Sequence, residues 1–170
     1  PERLTMPLSL DPEIAAALRK MMGDAPPPKS PPPGDVAGRR AMFDSWMRLV
    51  SSMLPKVTDV TTHDFATKSA DGTPVKLRWY EKDGGTKGPA VLYLHGGGMI
   101  LGSVDTYDSV VRNYVSQSGV PMLSVDYRLA PESPHPMPVE DCYAGLTHLA
   151  DRAASLGVDP GRIAVMGESA

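Results

Sequence analysis

Cysteine is nearly absent: Cys142 is the only one in 170 residues. No disulfide can form within this chain, and no cysteine-based zinc site can be assembled. On the helical pattern around it, Cys142 reads as a small buried hydrophobe. Long hydrophobic runs are missing too. No stretch approaches the roughly 20 apolar residues that span a bilayer. The opening PERLTMPLSL lacks the basic-then-apolar layout of a secretory signal, although a chain starting at Pro1 could already be processed. Charge of one sign is also lacking. The net charge of -3 argues against a basic nucleic-acid footprint and gives no sign of a polybasic membrane anchor. With 41% hydrophobic and 22% charged residues, the composition is that of a soluble globular domain. A reducing, cytoplasmic setting is the expectation.

What is present changes style along the chain. Residues 1–55 read as helical. Asp11 is placed as an N-cap, Pro12 as the first helical residue and Gly23 as the stop, with Ile14, Leu18, Met21 and Met22 on one face. The run APPPKSPPPG, 25–34, reads as a stiff extended linker rather than an SH3-type ligand. A second helix carries Phe43, Trp46, Met47, Val50, Met53 and Leu54 at three-to-four spacing, and Pro55 ends it. From residue 58 the period changes. VTTHDFAT and VKLRWYEK read as antiparallel strands around a turn at Asp71-Gly72, near a sheet edge.

AVLYLH, 90–95, is a continuous apolar run that predicts a buried strand. A helix over about 106–118, a strand at 121–127, a helix over about 138–156 and the strand RIAVMGES follow. The second of these helices has its expected stripe at Val139, Cys142, Tyr143, Leu146, Leu149 and Ala153. Strands alternating with crossover helices predict an α/β fold, a mostly parallel sheet with helices on both faces. A last strand with no following helix predicts an open, apolar sheet edge. The chain is therefore expected to be the N-terminal part of a larger domain, inactive and poorly soluble by itself.

Two stretches carry chemistry. LHGGGMILGS, 94–103, places three successive glycines after a strand, which lets backbone N–H groups aim at one point. A phosphate or the oxyanion of an acyl-transfer intermediate could use that point. The phosphate reading is the weaker, because neither G-x-x-x-x-G-K-[ST] nor G-x-G-x-x-G is present. The second stretch is GESA, 167–170. Gly-x-Ser alone says little. At the tip of a parallel strand it predicts a sharp strand-to-helix turn that lifts the Ser169 hydroxyl away from the sheet.

HGGGM at 95–99, DYRLAPE at 126–132 and GESA at 167–170, in that order, resemble the bacterial hormone-sensitive-lipase-like (family IV) carboxylesterases of the α/β-hydrolase superfamily. The likeness extends to LDPEI, GSVDTYD, PVEDCYAGL and DPGRIAV, from about Leu10 to the last residue.

The resemblance implies an α/β-hydrolase fold, with residues 1–55 as an N-terminal helical cap segment and 56–170 as the N-terminal part of the catalytic domain. It implies Ser169 as nucleophile, oxyanion donors at Gly97, Gly98 and Ala170, and His95 as support for the glycine loop. Glu168 stands where the family usually has Asp. Met99 and Ile100, beside the loop, are expected to touch substrate, and some cap methionines (Met21, Met22, Met42, Met47, Met53) to line an acyl pocket. Arg128, Glu132 and Asp141 are expected to form a structural ion-pair set, with Asp126 and Tyr127 anchoring a strand end. The triad Asp and His should lie beyond residue 170, so His63, His95, His135 and His148 are not promoted to catalytic base.

The expected activity is hydrolysis of short- to medium-chain esters through an acyl-enzyme, with no cofactor and no metal. The expected partners are a small-molecule ester, the C-terminal remainder of the same protein and a second copy in a homo-oligomer, with no nucleic acid and no membrane span. A non-catalytic ligand-binding protein and an amidase on the same fold share every motif present.

Overall fold

The computed structural model describes residues 9–23, 28–85 and 87–169. Two compact units divide between Pro32 and Pro33. The expected cap segment, 1–55, therefore spans both. The first unit contains α1 (Pro12–Met22), with Pro12 in its first turn. The Asp11 carboxylate accepts from the Glu13 N–H at 2.8 Å, and Gly23 closes the helix at φ 74° by donating to the Arg19 carbonyl.

The second unit begins with α2 (Val36–Met53), capped by Asp35, whose side chain accepts from the Gly38 N–H at 2.8 Å. Then follow β1 (Val60–Lys68), β2 (Pro74–Lys82), β3 (Gly88–Leu94), α3 (Asp108–Ser118), β4 (Met122–Asp126), α4 (Met137–Asp151), α5 (Ala153–Leu156) and β5 (Val158–Gly167). The helix expected over 138–156 is two helices, broken at Arg152. The sheet order is β1-β2-β4-β3-β5. β1 pairs antiparallel with β2, and β2 with β4, whereas β3 pairs parallel with β4 and β5. The sheet is thus mixed and not mostly parallel over the described residues. Its antiparallel half is the β1–β2 hairpin joined to β4.

Alternation along the strands divides the core between two faces. Leu77, Trp79, Leu92, Leu123 and Val125 meet Leu149 of α4 and Ala153 of α5. Tyr80, Tyr93 and Met122 face the other way, against Val111 and Val115 of α3 and Met47 of α2. Helices therefore cover both faces. Each fully buried aliphatic side chain in these layers contributes about 1.5–3 kcal/mol. Gly145 lets α4 sit close to β4: a Cβ there would lie 2.5 Å from Val125 Cγ2.

Part of the expected α4 stripe faces solvent, since Val139 and Tyr143 are exposed, Tyr143 at 70%. Cys142, Leu146 and Leu149 do pack inward. Burial pushes the Cys142 thiol up to about 12, which leaves it a poor nucleophile at neutral pH. Among the described residues β5 pairs only with β3, and Val165 is exposed. No described helix is long and apolar enough to cross a membrane.

Candidate active site

β3 delivers the glycine loop to one end of the sheet, and β5, parallel and adjacent, delivers Ser169 to the same end. The loop bends directly after His95. Gly97 and Gly98 have φ of 128° and 58°, conformations open to glycine and unfavourable for L side chains. Both N–H groups donate to one atom, the Ser169 carbonyl oxygen, at 3.3 Å from Gly97 and 3.0 Å from Gly98. Ser169 itself is exposed and has φ 56°, one of two described non-glycine residues at positive φ. A left-handed residue at the end of a strand is a sharp bend. Ala170, the third expected donor, lies outside the described residues.

Gly96 makes this approach possible. A Cβ at Gly96 would fall inside contact distance of the Glu168 carbonyl oxygen and 2.8 Å from the Tyr107 hydroxyl. The loop therefore runs against the backbone of the Gly167–Ser169 bend with no room for a methyl group.

His95 is fully buried. Its ring stacks on Tyr127 at 4.1 Å between centroids and on Tyr107 at 5.7 Å. Its Nδ1 lies 3.1 Å from the Gly96 carbonyl, which can only accept, so Nδ1 carries the proton. Burial holds the imidazole pKa below its ordinary 6.5, partly offset by that carbonyl. The Tyr127 hydroxyl donates to the His95 carbonyl at 2.6 Å, and Asp126 accepts from the Val104 N–H at 2.9 Å. Both residues anchor the end of β4 to segments flanking the glycine loop.

The Glu168 side chain turns back toward the sheet. It accepts from the Tyr114 hydroxyl at 2.6 Å and the Tyr93 hydroxyl at 3.1 Å. The Tyr114 hydroxyl is pushed up to about 12, chiefly by this hydrogen bond. Tyr93 is raised by burial first and by the Glu168 charge second. Sequence reading missed this pair of phenols. The signal available was a tyrosine inside the otherwise aliphatic run AVLYLH, where a buried hydroxyl needs a partner.

Met99 and Ile100 are half-buried, and Met99 has φ 60°. Of the cap methionines, Met47 is in the core and Met53 is exposed; the side chains of Met21 and Met22 lie outside the described residues. Arg128 and Asp141 form the expected pair. The guanidinium and backbone N–H of Arg128 bind Asp141 at 2.8–2.9 Å, and Asp71 joins them at 2.7 Å. Burial alone would raise the Asp141 carboxyl, but the Arg128 donors outweigh it and hold the pKa down. Glu132 is not in this set: it pairs with Arg40 of α2 at 2.8 Å, because its loop turns toward that helix. His63, His135 and His148 lie on β1, in a turn and on α4.

A 460 Å³ cleft adjoins the loop after β4, lined by Arg40, Gly102, Tyr127, Arg128 and Glu132 among others. A larger groove of 670 Å³, between the end of β1 and α4, shares no residue with the glycine loop or Ser169. Among the described residues no three His, Cys, Asp or Glu side chains are grouped to hold a metal ion.

The α/β-hydrolase fold model matches residues 91–170. Carboxylesterase NlhH of Mycobacterium tuberculosis is 50% identical over 82 residues, 48% of this chain and 26% of that protein. An ethyl acetate hydrolase of Pseudomonas putida is 32% identical over 165 residues, 95% of this chain and 52% of the relative. A solved structure, the hyperthermophilic esterase of the archaeon Pyrobaculum calidifontis, superposes with a TM-score of 0.78 at 36% identity, covering 95% of this chain and 50% of that one. The chain thus spans between a quarter and about half of the length of these relatives.

Proposed function

We propose that this chain, which belongs to the α/β-hydrolase superfamily in its hormone-sensitive-lipase-like branch, carries the nucleophile and oxyanion half of a serine carboxylesterase. The carrying observation is the convergence of the Gly97 and Gly98 N–H groups on one oxygen of residue 169. In the structure the Ser169 main-chain carbonyl meets both donors; in this reading the carbonyl oxygen of an ester bound against Ser169 displaces it and accepts from them instead. Ala170 is the third proposed donor.

In this reading a histidine from beyond residue 170 takes the Ser169 hydroxyl proton as the oxygen attacks the ester carbonyl. Charge moves onto the carbonyl oxygen, where each loop donor contributes about 3–4 kcal/mol to the transition state. The histidine returns the proton to the departing alcohol, and water then releases the acid from the acyl-enzyme. His95, neutral and stacked, supports the loop and does not titrate as the base. Met99 and Ile100 face the acyl group. Residues 1–55 act as a cap that selects short- to medium-chain esters. The single cysteine suits a cytoplasmic enzyme.

The test is turnover of p-nitrophenyl acetate and butyrate by the protein that joins this chain to its triad partners. Ser169→Ala should abolish turnover while leaving the thermal midpoint nearly unchanged. Full activity in that variant would exclude Ser169 as nucleophile. A folded wild-type protein with no turnover of any acyl ester would instead favour a ligand-binding role.

A further inference from the structure

Arg40 stands on α2, sixty residues before the loop it touches. Its Nε–H donates to the Ile100 carbonyl at 2.8 Å. One terminal nitrogen donates to the Ala130 carbonyl at 3.0 Å and to Glu132 Oε2 at 2.8 Å, and the other donates to Glu132 Oε1 at 2.8 Å. A single guanidinium plane therefore joins three segments: α2, the segment after the glycine loop, and the loop after β4.

These two loops are also tied directly, since the Ala130 N–H donates to the Met99 carbonyl at 2.9 Å. The carbonyls of Met99 and Ile100 are thus held in succession, one by Ala130 and the next by Arg40. Both follow immediately on Gly98, and Met99 occupies a left-handed conformation that an L side chain rarely adopts. A segment in that state needs outside contacts to keep it there.

A surface ion pair would be the plain explanation, because Glu132 is exposed and such pairs contribute little. It does not account for the other two hydrogen bonds. Those go to main-chain carbonyls of different loops, and the Glu132 fork fixes the guanidinium plane so that Nε faces Ile100.

We propose that Arg40 is a positioning residue for the oxyanion loop: it fixes the Met99–Ile100 segment, and through it the aim of the Gly97 and Gly98 N–H groups. This rests on the esterase reading above. It also makes α2 a strut of the catalytic loop as well as part of a cap. Lysine cannot substitute, because a single ammonium lacks the planar fork that serves three acceptors at once.

The experiment uses the complete protein with Arg40→Lys, Arg40→Met, Glu132→Gln and Ser169→Ala, each assayed below its own thermal midpoint. Readouts are kcat and KM for p-nitrophenyl butyrate, and the rate of Ser169 phosphorylation by diethyl p-nitrophenyl phosphate, which uses the same donors. Arg40→Met and Arg40→Lys should each lower kcat and the phosphorylation rate about tenfold to hundredfold, as a misplaced donor set does, with KM changed far less. Glu132→Gln keeps an acceptor for the fork and should lose much less. Wild-type kcat in either Arg40 variant overturns the proposal, as does full rescue by lysine or a loss seen in KM alone. If Arg40→Met does not fold, Arg40→Lys decides. Retained activity in Ser169→Ala is a separate outcome: it removes the esterase reading, and this inference with it.

Discussion

Alanine placed singly at Gly96, Gly97 and Gly98 separates three demands that the glycine loop meets at once. At Gly96 the new Cβ falls inside contact distance of the Glu168 carbonyl oxygen and 2.8 Å from the Tyr107 hydroxyl. Tyr107 is packed against His95 and Tyr93, and Glu168 is held by two phenols, so neither neighbour can swing aside. Relief needs a backbone shift of about 1 Å, which costs about 1–3 kcal/mol in a packed region. The same shift separates the loop donors from residue 169, and misplacement on that scale costs about hundredfold in rate. At Gly97 the Cβ meets the Leu101 carbonyl carbon at 2.7 Å, and φ is 128°, so strain adds to a clash with the loop's own backbone. At Gly98 nothing lies within 4 Å, and the only cost is the left-handed φ of 58°, about 1–2 kcal/mol. The N–H survives in all three variants. Gly96→Ala and Gly97→Ala should therefore lower kcat for p-nitrophenyl butyrate by about two orders of magnitude, whereas Gly98→Ala should stay within about tenfold. Melting curves on the same samples separate loss of fold from loss of aim. Wild-type kcat in Gly96→Ala, or Gly98→Ala as the worst of the three, would refute the claim that close approach governs this loop.

Other perturbations read other parts of the frame. Tyr114→Phe removes the shorter of the two phenol bonds to Glu168 and should cost about 1.5 kcal/mol by denaturant titration; no change would mean that Tyr93 holds the bend alone. Asp141→Asn weakens a pair whose carboxylate is fully buried and should cost about 3 kcal/mol, seen as a lower thermal midpoint. Gly145→Ala sets a clash with Val125, about 1–3 kcal/mol, against a helix-propensity gain of about 1 kcal/mol; net destabilisation is expected, and a more stable variant would show that α4 can retreat from β4. Stability should also fall with acid in two stages. His95 has a folded pKa below its ordinary 6.5, so the unfolded chain binds that proton first and stability declines as pH drops below 6.5. Glu132 and Asp71, depressed from 4.5 and 3.8 to about 2 by Arg40 and Arg128, contribute above those ordinary values and lose that contribution as pH falls toward 2. A midpoint that stays flat from pH 7 to 3 would contradict both.

Local pattern carried the strands and most of the helices, because apolar period and stop residues are properties of contiguous sequence. Pro12, Gly23 and Gly157 sit where a helix starts or ends, and AVLYLH is buried on both sides as its composition demands. The pattern was less informative where partners are distant. Val139 and Tyr143 share the helical period of the α4 stripe yet face solvent, since periodicity gives an angle on a helix and not the width of the surface it meets. The motif residues at 95–99 and 167–169 were placed by resemblance together with strand order, and the parallel register of β3 with β5 brings them side by side.

What no local pattern contains is the scaffold behind them. The Tyr93 and Tyr114 contacts to Glu168 span 75 and 54 residues, and Arg40 reaches across 60 to 92 residues to its acceptors. Each is a polar group whose pairing exists only after the sheet has formed. Nothing in the sequence singled out Arg40, because a guanidinium looks the same there whether it faces water or three acceptors. Both arms of the site are held in this way: phenols from β3 and α3 fix the bend that carries Ser169, and an arginine from α2 fixes the segment that follows the glycines. In the esterase reading proposed above, a loop held in this way would need to release only the Ser169 carbonyl, and not to re-form, when its N–H groups turn to a substrate oxygen that gains charge.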